Sequence, residues 1–183
     1  MIGAILTQNT NWRNVESAIQ NLKSEGYLDA YEVYKMPIKK LRRLIKSAGF
    51  FNVKAERVKT FVRYLWKEYG GDIELMKQKE TFFLREELLG IKGIGPETCD
   101  SILLYGLGKP VFVVDAYTRR IFSRHKIINE KDNYGDIQNI FERSLKADVK
   151  LFNEYHALLV NLGKDKCKRE KPLCESCPLN KIL

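Results

Sequence analysis

The chain has 183 residues, 44% of them hydrophobic and 30% charged, with 32 Lys and Arg against 23 Asp and Glu and a formal net charge of +9. That length holds one domain or two small ones, the apolar fraction excludes global disorder, and the positive balance favours a polyanionic partner. No apolar run approaches the ~18 residues of a membrane helix, and polar residues 7–10 follow residues 1–6 too soon for a signal peptide. An intracellular protein with no membrane contact is expected.

Helical periodicity dominates the chain from its start. Residues 1–6 read as a buried helix entered without a cap. Asn11 is a cap candidate for a helix with Val15, Ile19 and Leu22 on one face; Leu41, Leu44 and Ile45 follow Pro37; Val58, Phe61, Val62 and Leu65 continue the pattern. Between residues 35 and 67 stand eleven Lys and Arg and one acid, Glu56, so this stretch alone exceeds the net charge of the chain. It reads either as a nucleic-acid-facing patch or as the solvated outer faces of two amphipathic helices. The only strand-like run, residues 111–114, is too isolated to build a sheet, and the fold class expected is all-α.

Residues 88–103 join an apolar helix end to a second helix through Gly93-Ile94-Gly95-Pro96. Pro96 suits a first helical position, where its missing N–H costs nothing. Glycines at 93 and 95 let the backbone approach a phosphate without Cβ interference, and Lys92 can add a mobile charge. Such contacts hold a DNA backbone and read no sequence. Twenty residues after Gly95, an apolar approach ends in Asp115, which opens a basic amphipathic helix as an N-cap; a helix N-terminus favours its ionised form.

Three of the four cysteines, Cys167, Cys174 and Cys177, fall within the last seventeen residues, and clustered thiols in a reducing compartment read as metal ligands. Zinc is the generic candidate, yet His156 lies eleven residues before Cys167, a poor spacing for it. Cys99 reads as an inert packing residue.

Together these segments resemble the helix-hairpin-helix DNA glycosylases of the endonuclease III superfamily: residues 6–10 near the start, 49–55 in the middle, the hairpin, Val114-Asp115 and the closing cysteines, in that order. The resemblance implies two helical lobes with DNA across the groove between them and the damaged nucleotide flipped out. Residues 12–125 would form the central lobe, with the helix-hairpin-helix at 83–105. Residues 1–11 and 126–183 would form the second, with a Cys loop at 167–177 and one N-terminal helix of the relatives missing.

By the same resemblance Asp115 is the essential catalytic aspartate, whose carboxylate stabilises the oxocarbenium-like sugar and positions or deprotonates the nucleophile. Gln8 fills the gap left by the flipped base, and Ile91, Lys92, Gly93 and Gly95 form the DNA-holding hairpin. Glu97 stands where strand-cutting members carry their nucleophilic lysine, and a carboxylate forms no imine. The chain is therefore similar to the monofunctional branch, which includes bacterial 3-methyladenine glycosylases. Trp12, Phe50 and Phe51 are candidates by position for stacking on a cationic base, though the many aromatics of the chain favour a core role for them, and thymine or uracil in a mismatch and oxidised pyrimidines stay open as substrates. The family's closing loop implies a [4Fe–4S] cluster on Cys167, Cys174 and Cys177, but its fourth ligand would fall at Leu183. The partner implied is double-stranded DNA with a damaged base, bound by a monomer. Two other readings stay open: a bifunctional glycosylase and abasic-site lyase, and a non-catalytic helix-hairpin-helix binding module.

Overall fold

A computed structural model describes residues 1–180. The regular structure of the described residues is all helical, with no strand among them, and they divide into two compact units, Met1–Leu107 and the chain from Gly108 onward. No helix among them is long and apolar enough to cross a membrane.

In the first unit α1 (Ile2–Leu6) packs against α2 (Trp12–Ser24), α5 (Phe51–Tyr69) and α8 (Pro96–Ser101). The expected division placed residues 1–11 with the second lobe. The observed one keeps them in the first unit, because Ile5 and Leu6 are fully buried and α1 finds its contacts there. It also moves residues 108–125 to the second unit. Asn11 caps α2 as its sequence position predicts, its side chain accepting the Asn14 N–H at 3.1 Å. The nineteen-residue α5 is the central element, packing on α3 (Ala30–Lys35), α4 (Ile38–Leu44) and α6 (Ile73–Gln78) through Val58, Phe61, Val62 and Leu65, the face read from periodicity.

The basic tract between residues 35 and 67 is not one open patch. Lys54 and Lys59 are buried on the apolar face of α5: Lys54 Nζ donates to the Leu6 and Ala48 carbonyls at 2.8 and 2.7 Å, and Lys59 Nζ to those of Val33 and Tyr34 at 2.7 and 2.9 Å. Each ammonium satisfies carbonyls that helix ends leave without an intrahelical donor. Lys40 and Arg43 pair with Glu25, and Arg42 with Glu56. Much of this charge therefore serves the fold.

In the second unit α9 (Ala116–Arg124) packs on α11 (Val149–Asp165), with α10 (Tyr134–Ser144) between them in sequence. The strand-like run 111–114 is buried but forms neither helix nor strand. Side chains take over its backbone groups: Glu142 accepts the Phe112 N–H, Gln138 donates to the Phe112 carbonyl, and the Tyr134 hydroxyl accepts the Val114 N–H. This anchored segment delivers Asp115 to the start of α9.

Candidate active site

The hairpin forms as its glycines predict. After α7 (Thr81–Leu89) the chain turns through Gly93, at φ 92°, and Pro96 opens α8. A Cβ at Gly93 would also come within 2.7 Å of the Arg57 side chain, so conformation and space both call for glycine there. Gly95 is extended, with open space where a Cβ would stand, leaving room for an incoming group rather than meeting a backbone need. Lys92 is exposed; Ile91 is 7% exposed and belongs to the core, which leaves only its main chain for a DNA contact. Glu97 sits exposed in the first turn of α8. Burial, with the Asp100 charge adding to it, pushes the Cys99 thiol up to about 12, which suits the inert role expected of it.

Gln8 is tied to this hairpin. Its Nε2 donates to the Gly93 carbonyl at 3.0 Å and to Thr98 Oγ1 at 2.8 Å, while Arg57 Nη1 donates to its Oε1. One amide thus links the loop after α1, the hairpin turn, the second hairpin helix and α5. The sequence offered no spacing rule for Arg57, which lies forty-nine residues from Gln8.

The aromatic candidates separate. Trp12 is 54% and Phe50 70% exposed, Phe51 half-buried, so the first two are not core residues. Phe50 also caps α5 in the left-handed region at φ 44°, a conformation that costs a bulky residue about 1–2 kcal/mol and marks a candidate functional position. Lys54, one turn further along α5, fixes the Ala48 carbonyl just before this turn.

In the second unit Asp115 is 9% exposed and caps α9. Its Oδ1 accepts the Thr118 N–H at 2.7 Å and the Thr118 hydroxyl at 3.0 Å; its Oδ2 lies 3.5 Å from His156 Nε2. Burial pushes this carboxyl up, but His156 and the Thr118 donors outweigh it, and Asp115 is held below the ordinary carboxylate range. A desolvated yet ionised carboxylate is what stabilisation of a developing cation or polarisation of a water requires. An apolar groove of about 660 Å³ in the same unit, lined by residues such as Ile121, Leu158 and Leu179, includes neither Asp115 nor any base-stacking candidate. It is not the reaction site.

The cysteines do not gather. Cys167 is buried, Cys174 exposed and Cys177 half-buried, and no group of three or more His, Cys, Asp or Glu side chains able to hold a metal comes together among the described residues. Leu183, the expected fourth position, lies outside them. Arginines hold the loop instead. Arg120 donates to the Gly163 and Cys167 carbonyls, and Arg124 to those of Lys168 and Arg169 and, at 3.3 Å, to Cys167 Sγ. A set of three dispersed thiols does not fit a four-thiolate cluster. Anaerobically purified protein is expected to contain less than one iron per chain and to keep its unfolding midpoint after chelation. Four irons per chain with the absorption of a cluster would overturn this.

A family model described as HhH-GPD superfamily base excision DNA repair protein matches residues 2–147. A relative in Methanocaldococcus jannaschii, provisionally named a DNA repair glycosylase, is 50% identical over the whole of this chain and 83% of its own. Endonuclease III of Thermotoga maritima is 30% identical over 97% of this chain and 78% of its own. The solved H. pylori 3-methyladenine DNA glycosylase bound to 1,N6-ethenoadenine is similar at 29% identity and a TM-score of 0.76, covering 89% of this chain and 82% of that one. A non-covalent endonuclease III–DNA complex shares the fold at a TM-score of 0.81 and 22% identity, over 98% of this chain and 78% of that one.

Proposed function

The chain belongs to the HhH-GPD superfamily of base excision DNA repair proteins and is a DNA glycosylase, and we propose that it is a monofunctional one, hydrolysing the N-glycosidic bond of a flipped, damaged base with Asp115. The observation that carries this reading is Asp115 itself, buried, ionised and anchored through one oxygen at the N-terminus of α9. Its charge stabilises the sugar as the base departs, and its second oxygen orients or deprotonates the attacking water. The hairpin of Lys92, Gly93 and Gly95 holds the phosphate backbone, and Gln8, released from its bonds to Gly93, Thr98 and Arg57, enters the space the base leaves. The protein acts on double-stranded DNA as a monomer.

The base proposed is a cationic alkylated purine. Such a base already carries the charge that makes it leave, so the protein mainly needs aromatic faces to bind it. The exposed rings of Trp12 and Phe50 supply two, and the likeness to the 3-methyladenine glycosylase supports the choice.

Glu97 supports the monofunctional mechanism, since an imine with the sugar requires an amine at the reacting centre. Incubation with duplex containing an abasic site, followed by borohydride, tests it. Little or no covalent protein–DNA adduct is expected; efficient trapping would identify a lysine nucleophile and the bifunctional alternative.

A further inference from the structure

We propose that His156 is a positioning residue for the reaction, holding the Asp115 carboxylate so that Oδ2 faces the sugar and water while Oδ1 stays committed to the helix cap. The inference rests on the reading of Asp115 as the catalytic carboxylate.

His156 lies on the packed face of α11. Phe152, Leu159 and Gly163 stand at −4, +3 and +7 from it, the spacing of one helical stripe, and all three are buried. An imidazole in an apolar stripe loses stability unless its polar atoms are used. Nε2 lies 3.5 Å from Asp115 Oδ2, and both side chains are 12% exposed. At that separation the contact is an electrostatic and orienting one rather than a short hydrogen bond, and it is felt strongly because water is largely excluded. Facing a carboxylate requires the proton on Nε2.

Two features favour His156 for this task. First, the helices approach closely beside it: a Cβ on Gly163 would fall 2.3 Å from Tyr117 Cδ1, so glycine there lets α11 come near enough to α9 for the imidazole to reach. Second, the cations of α9 are engaged elsewhere. Arg119 donates to the Asp132 carbonyl, Arg120 and Arg124 to the Cys-loop backbone. Among the described residues, His156 is left as the donor group at Oδ2, and Thr118 as the donor at Oδ1. The depressed titration of Asp115 agrees with that arrangement.

The test compares His156→Leu, which removes the donor, with His156→Gln, whose amide nitrogen replaces Nε2. In carbon-detected NMR the Asp115 carboxyl of His156→Leu is expected to titrate higher than in the parent, and that of His156→Gln close to it. Single-turnover base release from the damaged duplex on which the parent is most active is expected to fall on the order of 10²-fold in His156→Leu, the loss that misplacement of a reacting group brings. The glutamine variant should stay within about threefold, and duplex affinity should be unchanged in both, as for a group that acts on the chemical step. An unmoved carboxyl titration in His156→Leu, or equal losses in the two variants, overturns the proposal. If the leucine variant does not fold, His156→Ala carries the same comparison. Asp115→Asn separates the two readings: if it retains base release, the catalytic reading of Asp115 fails, while the carboxyl titration still reports whether His156 holds that group.

Discussion

Asp115→Asn is expected to abolish base release while duplex binding is kept or tightened. The loss should be about 10²–10⁴-fold, the usual contribution of a positioned acid or base together with its charge. Asparagine matches the shape of aspartate and keeps an oxygen for the Thr118 N–H and hydroxyl, so the cap of α9 survives. It removes a negative charge from a surface that approaches a polyanion, which favours binding. Gel shift and single-turnover release on the same duplex measure both effects. The acid dependence of stability should change with it. Because the folded carboxyl titrates below its ordinary value, its contribution is present above the unfolded pKa of about 3.9 and lost as pH falls through the lower folded value. The asparagine variant should therefore lose less stability than the parent over that acid range.

The second large effect is structural. Lys54→Ala removes a buried ammonium that bridges the end of α1 to the turn before Phe50. Two charged-donor hydrogen bonds disappear and two buried carbonyls lose their partner, which is expected to cost about 3–5 kcal/mol. For a chain of this size that is a fall in unfolding midpoint of roughly 6–20 °C. Lys54→Arg should not restore it, since the bulky planar guanidinium does not fit a site shaped for a point charge. Lys35, Lys39, Lys46 and Arg63 are exposed, and alanine there should leave the midpoint within about 0.5 kcal/mol of the parent. Thermal unfolding of the single variants decides between a tract that builds the fold and one that serves only as charge.

Much of the fold is legible in the sequence because period and punctuation agree. Asn11, Pro96 and Asp115 each open a helix as their residue type requires, and the apolar stripe through Val58, Phe61 and Leu65 faces the core. The burial of Lys54 and Lys59 was also written there. Lys54 stands four residues before Val58, and Lys59 four after Ala55, so helical spacing puts both on the apolar face of α5. Net charge hides this, because it counts an ammonium that caps carbonyls the same as one in water.

Asp115 and the hairpin were readable because local geometry creates them: a cap and a glycine turn depend on neighbours in sequence. Contacts across the chain were not. Gln8 meets Arg57, Gly93 and Thr98 through tertiary packing, and His156 reaches Asp115 where α11 packs on α9, forty-one residues further along the chain. The cysteines belong with these long-range contacts, since spacing of six and two residues says where thiols stand in sequence but not whether the loop gathers them, and Arg120 and Arg124, which bond its backbone, lie more than forty residues away.

The most direct measurement is a gel assay with end-labelled duplexes, each carrying one alkylated, deaminated, mismatched or oxidised base, analysed with and without hot alkali. A monofunctional glycosylase acting through Asp115 gives strand breaks at the alkylated purine only after alkali, and none with Asp115→Asn. Breaks without alkali, or alkali-dependent breaks that survive Asp115→Asn, would contradict it.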